Sequence, residues 1–182
     1  ALGTAGGFYG RARKPDKEIQ LLGQALQIMP NDPEFILAMV GLMSRQKRYE
    51  EALAYAEKYR ELVPYDVWGY QCIGNFYFRK GDFGKSIEYY LQASKLDSEF
   101  VQAYYNLAIA YYHSGRYEEA IRNCDKVYKR GGSMPSEFLK ALEPYRKGKS
   151  MPRPKQTSDD QDENEGGLSF KMYRGKVIAA RN

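Results

Sequence analysis

Along most of the chain, apolar residues recur every three or four positions instead of every second one. From Tyr70 onward, a stripe of Tyr70, Ile73, Gly74 and Tyr77 runs at spacings of 3, 1 and 3, which is the period of one helix face. Gly81-Asp82 interrupts it, because glycine adopts the left-handed backbone that closes a helix. A second helix is expected to follow, with Phe83, Ile87, Tyr90, Ala93 and Leu96 on its inner face. Reading on by 34 residues repeats the pattern: Ile73-Gly74 falls over Leu107-Ala108, Tyr77 over Tyr111, and Gly81-Asp82-Phe83 over Gly115-Arg116-Tyr117. Ser86-Ile87 likewise falls over Ala120-Ile121. A fixed period of this length marks an array of stacked helix pairs.

The period divides the chain into units of about 1–30, 31–64, 65–98 and 99–132. In the first, Gly6, Tyr9, Ala25 and Pro30 fall on repeat positions, so Ala1 opens inside a unit and further sequence is expected upstream. Gly3, Gly6, Gly7 and Gly10 crowd its first helix; each interior glycine costs about 1 kcal/mol against alanine, and close helix packing is the expected return. In the second, Met39, Met43, Tyr49, Ala52, Ala56 and Tyr59 take the packing positions. Tyr49-Glu50-Glu51-Ala52 recurs as Tyr117-Glu118-Glu119-Ala120. These paired carboxylates open a helix, where negative charge complements the dipole, and need no catalytic role.

Residues 135–146 read as a capping helix that ends a repeat domain spanning 1–147. Phe138, Ala141, Leu142 and Tyr145 face inward, and Glu137, Lys140 and Glu143 face outward. The polar, proline-containing and then acidic stretch 148–167 is expected to be a disordered linker. The final stretch, 168–182, regains apolar residues (Leu168, Phe170, Met172, Val177, Ile178) and is expected to act as a docking motif or to fold back on the repeats.

The unit carries a large residue at position 4, Leu or Ile at 7 and a small residue at 8. Tyr follows at 11, Gly at 15, an aromatic at 17, Ala or Ser at 20 and a late Pro. This pattern resembles the tetratricopeptide repeat family. The resemblance implies an all-α, right-handed solenoid of antiparallel helix pairs whose concave face grips an extended peptide or a helix.

Composition narrows the function. The chain has 182 residues, 43% of them hydrophobic and 14% aromatic, with 17 tyrosines, enough for a substantial core. Its net charge of +5 comes from interleaved cations and anions, so a nucleic-acid partner is not expected. No apolar run reaches the length of a membrane span. No secretory leader is read at the start, and the cytoplasm is slightly favoured as compartment. Cys72 and Cys124 lack metal or redox spacing and read as buried thiols. His113 is the sole histidine and has no visible triad partner or metal co-ligand. No phosphate-binding glycine loop or metalloprotease motif is present. The chain reads as a non-enzyme with neither cofactor nor metal.

The site expectation rests on a second stripe along the first helix of each unit, at positions 2, 5, 9, 12 and 13. It reads Trp68, Gln71, Asn75, Phe78 and Arg79 in one unit and Gln102, Tyr105, Ile109, Tyr112 and His113 in the next, with Asn106 adjacent. Solvent-facing helices rarely carry so many aromatics unless something covers them, and Trp, Tyr and Arg often anchor interfaces. Trp68, Asn75, Phe78, Arg79, Tyr105, Asn106, Ile109 and Tyr112 are expected to carry binding of a protein segment, aromatics as anchors and polar groups to fix its main chain.

Heat-shock-chaperone adaptors of the family hold a terminal carboxylate with Lys and Asn at positions 5 and 9, Asn at 6 of the next unit, and Lys and Arg at 2 and 6 of a third. Here Asn75, Asn106 and Lys140 match, while Gln71 and Ser136 stand where two of the cations belong. A carboxylate would lose most of its charge-assisted contacts, so that clamp is not expected. A scaffold or adaptor is the reading, with self-association through the open repeat end plausible. The alternatives are an accessory region of a longer enzyme, such as a glycosyltransferase, or a bacterial envelope-assembly factor.

Overall fold

The computed structural model describes residues 15–146. The glycine-rich start and the segments 148–167 and 168–182 lie outside the described residues. Within them are eight α-helices: α1 (Pro15–Ile28), α2 (Pro33–Arg45), α3 (Tyr49–Leu62), α4 (Val67–Arg79), α5 (Phe83–Leu96), α6 (Val101–His113), α7 (Tyr117–Lys129) and α8 (Ser136–Leu142). A 3₁₀ turn, Glu143–Tyr145, follows α8. Each helix packs chiefly on its neighbours in the chain, giving an all-α solenoid.

The turns between paired helices repeat with the period. Lys47, Gly81 and Gly115, each 34 residues from the next, have φ of +60°, +81° and +77°. The amide after each donates back five residues: Arg48 to Met43 (2.9 Å), Asp82 to Tyr77 (2.9 Å) and Arg116 to Tyr111 (2.8 Å). That closure satisfies carbonyls a helix end leaves open. Only Lys47 makes the turn without glycine.

The residue after each turn starts the second helix, and its charge partner follows three positions later. Arg48 pairs with Glu51 and Arg116 with Glu119, whereas Asp82 pairs with Lys85. The register survives while the charges are exchanged. The arginines hold the Glu51 and Glu119 carboxyls below the usual glutamate value through a side-chain hydrogen bond.

The core is built from positions 4, 7, 8, 20, 24 and 27 of the units, joined by Leu37 at position 5. Ile36, Leu37, Ile73, Leu107, Ala108, Ala120, Val127 and Leu142 are essentially sealed from solvent. Volume is traded between positions 8 and 24. Val40 and Ala56 share one cluster, Ala108 and Cys124 another, and Gly74 stands against the ring of Tyr90. Burial pushes the Cys124 thiol up to about 12, and does the same to Cys72.

The sequence pattern misjudges two places. Leu96, expected inside, is the last residue of α5 and has 39% of its surface exposed. The capping helix is shorter than 135–146. Pro144 lacks the amide an α-helix would need, so the chain tightens after Leu142; Leu139 and Leu142 are buried and Phe138 packs half-buried against the same core as expected, while Tyr145 is left 39% exposed. Tyr145 stacks instead on Tyr117, ring centroids 3.6 Å apart.

Candidate functional site

Residues 68, 71, 75 and 78 lie on one face of α4, and 102, 105, 106, 109, 112 and 113 extend along α6. Asp66 starts α4: its Oδ1 accepts from the Trp68 amide at 2.9 Å and its Oδ2 from the Tyr59 hydroxyl at 2.6 Å. One carboxylate thus caps α4 and ties it to α3. Gly69 lets the two approach, since a Cβ there would sit 3.1 Å from Cβ of Arg60.

The centre of the stripe is a chain of neutral amides. Asn75 Oδ1 accepts from the Tyr90 hydroxyl at 2.8 Å and from Asn106 Nδ2 at 3.3 Å. Asn106 Oδ1 in turn accepts from Gln102 Nε2 at 3.1 Å. With two donors on its oxygen, Asn75 has no acceptor for its Nδ2 hydrogens among the described residues, and Gln102 Oε1 has no donor among them. Burial raises the Tyr90 hydroxyl above its ordinary pKa, so it remains a donor. Tyr105 and Ile109, both half-buried, lie beside these amides on α6.

Beyond the amides the rings form a continuous ladder. Phe78 meets Phe83 and His113, each at 5.4 Å, and His113 stacks on Phe83 at an interplanar angle of 22°. Tyr112 contacts His113 at 5.6 Å, Tyr117 at 5.5 Å and Phe138 at 5.3 Å. These contacts join α4, α5, α6, α7 and α8 along one edge.

The expected site residues therefore fall into three groups. Asn75, Tyr105, Ile109, Phe78, Tyr112 and His113 lie along one surface. Gln71 and Asn106, expected on the open side, are only 2% and 5% exposed, and Gln71 Oε1 is buried with no hydrogen-bond partner among the described residues. Trp68, Arg79 and Lys140 have other surroundings, though the Arg79 charge also acts on the Tyr90 hydroxyl. Trp68 packs edge-on against Phe100 at 5.3 Å. Arg79 gives its guanidinium to Tyr49, donating to the hydroxyl at 3.3 Å and lying 5.2 Å from the ring centroid. Lys140 is exposed on α8. The stripe pattern missed Tyr90, which reaches Asn75 from the paired helix; the glycine at 74 opposite a bulky residue was the available signal. No group of metal-ligating side chains occurs among the described residues, and no described helix is long and apolar enough to cross a membrane.

Comparison with known proteins agrees with this architecture. Models described as tetratricopeptide repeat match residues 11–65 and 101–130, and one described as TPR repeat matches 74–115. The chain belongs to the tetratricopeptide repeat family. Similar TPR relatives include Hsp70-Hsp90 organizing protein 3 of Arabidopsis thaliana, 38% identical over 48% of this chain and 16% of that protein. Hsp70-Hsp90 organizing protein of Triticum aestivum is 34% identical over 60% of this chain and 18% of its own. The chain thus spans less than a fifth of the length of these relatives. Among solved structures, MamA residues 41-end from Desulfovibrio magneticus RS-1 superposes with a TM-score of 0.64 at 18% identity, covering 71% of this chain and 73% of that one. At that identity the likeness is one of fold.

Proposed function

We propose that this TPR chain is a non-catalytic scaffold or adaptor that binds a segment of a partner protein along the α4–α6 stripe. The observation that carries the reading is the amide chain Asn75–Asn106–Gln102, held from beneath by Tyr90, with donors and acceptors unpartnered among the described residues beside half-buried Tyr105 and Ile109. Half-buried apolar side chains bordering fixed polar groups are what a protein-binding surface requires. The names of the plant relatives tie those proteins to Hsp70 and Hsp90, which supports the adaptor class for this chain.

A photo-crosslinking residue at position 109 tests the site, with one at Glu88 of α5, an exposed position, as the comparison. Crosslinks to a partner from position 109 and not from 88 are expected. Crosslinks from 88 alone would move the site to the second helices.

A further inference from the structure

We infer that Tyr117 and Tyr145 form an oxidative crosslinking site, at which the two phenol rings are joined as dityrosine and the end cap is stapled to α7. This chemistry needs no bound partner and is independent of the binding site proposed above.

The two rings lie nearly parallel, 16° apart, with centroids separated by 3.6 Å. Carbon atoms in contact stand about 3.5–4.0 Å apart, so this separation leaves the rings almost no lateral offset. Their hydroxyls point the same way: that of Tyr145 donates to that of Tyr117, which raises the Tyr145 phenol above its ordinary pKa. The carbons ortho to each oxygen therefore lie over one another. Such an arrangement is close to the separation at which held groups react.

The stack is fixed from both sides of the chain. Tyr117 is the first residue of α7. Before Tyr145, Leu142 is sealed in the core; after it, the Arg146 side chain is only 5% exposed and pairs with Asp125 of α7 at 2.9 Å. Tyr145 itself remains 39% exposed, so an oxidant can reach it. A second pair provides the contrast. Tyr77 and Tyr89 are also parallel, at 8°, but their centroids are 5.6 Å apart, so the rings are offset. Lys85 Nζ lies 5.0 Å from the Tyr77 ring centroid, and that positive charge opposes removal of an electron.

In the coupling, each phenol gives up one electron and its hydroxyl proton. The two ortho carbons pair their unpaired electrons in a new carbon–carbon bond, and the protons on those carbons pass to the oxygens, restoring both rings. Two hydrogen atoms leave in all. Hydrogen peroxide, acting through a haem peroxidase, takes them and becomes two molecules of water. The product closes a covalent loop around α7 and α8.

The test treats the full chain, in dilute solution, with a haem peroxidase and hydrogen peroxide. Expected are a monomer lighter by two hydrogen atoms, dityrosine fluorescence from that monomer, and a peptide map joining residues 117 and 145. The product should be lost in Tyr117→Phe and in Tyr145→Phe, which keep the rings, and retained in Tyr89→Phe. The denaturant midpoint of the oxidised chain should rise, because a closed loop restricts the unfolded state. The map of the wild-type chain decides the matter even where a variant folds poorly. Coupling only between copies, as exposure alone would favour at Tyr65 (86% exposed), would overturn the assignment. So would coupling within the chain at Tyr77 and Tyr89 in place of 117 and 145, or none at all while free tyrosine in the same reaction couples. A crosslinked chain with an unchanged or lower midpoint would overturn the stapling role.

Discussion

The ring of Tyr90 fills the space that a side chain at Gly74 would need: a Cβ built there would come within 2.5 Å of Cε1 and 2.7 Å of Cδ1. This absence of a side chain lets the Tyr90 hydroxyl reach past α4's backbone to Asn75. Packing inside one helix pair thereby fixes the orientation of an amide on the half-buried stripe.

Gly74→Ala should therefore act on stability and on the site together. Overpacking against a buried ring costs about 1–3 kcal/mol, readable as a lower denaturant midpoint. Tyr90→Phe separates the two effects. It keeps the ring, loses about 1 kcal/mol with the hydrogen bond, and should weaken peptide binding by freeing the Asn75 amide to turn.

Gln71→Leu should trade the other way. It replaces a buried carbonyl oxygen that lacks a partner among the described residues, an arrangement that costs about 1–3 kcal/mol. Thermal unfolding should move upward while the helical circular dichroism is unchanged. A lower melting temperature would show that Gln71 is satisfied in solution.

Lys47 stands at the turn position where the next two units use glycine, with φ of +60°. Left-handed backbone costs a non-glycine residue about 1–2 kcal/mol, partly offset by the freedom glycine gains when unfolded. Lys47→Gly should raise stability by about 0.5–1 kcal/mol in chemical denaturation, and Gly81→Ala should lower it by about 1 kcal/mol.

Stability should fall with pH on the alkaline side. Unfolded thiols release their protons near pH 8.5, whereas burial holds Cys72 and Cys124 up to about 12. Between these values the unfolded chain binds fewer protons than the folded one, so the contribution, complete below about pH 8, is lost as pH rises. Replacing both cysteines by alanine should flatten that limb of the profile. On the acid side Glu51 and Glu119 have the reverse sign. Their lowered values stabilise the fold above the ordinary glutamate range and lose that effect as pH falls, weakly because both pairs face solvent.

The repeat, the two helices of each unit and their turns were legible because identity at fixed spacing survives even when individual residues change. Asp82-Lys85 in place of arginine and glutamate shows how little of the register depends on charge. The stripe itself was legible in sequence, but the state of its members was not. Gln71 and Asn106 lie on helix faces with half-buried residues, and only the packing of adjacent helices decides that they are covered. Arg79 is taken by Tyr49, a residue 30 positions away, which no local spacing reveals. Pro144 was visible, and its effect on the length of α8 follows from the missing amide.

The most direct test of the account is nuclear magnetic resonance of the side-chain amides of Asn75, Gln102 and Asn106 in the presence of a peptide selected on the wild-type chain. The account predicts that these NH₂ resonances shift together and that the Asn75 pair becomes protected from exchange. Unchanged side-chain amides, with shifts confined to the backbones of α5 and α7, would contradict it.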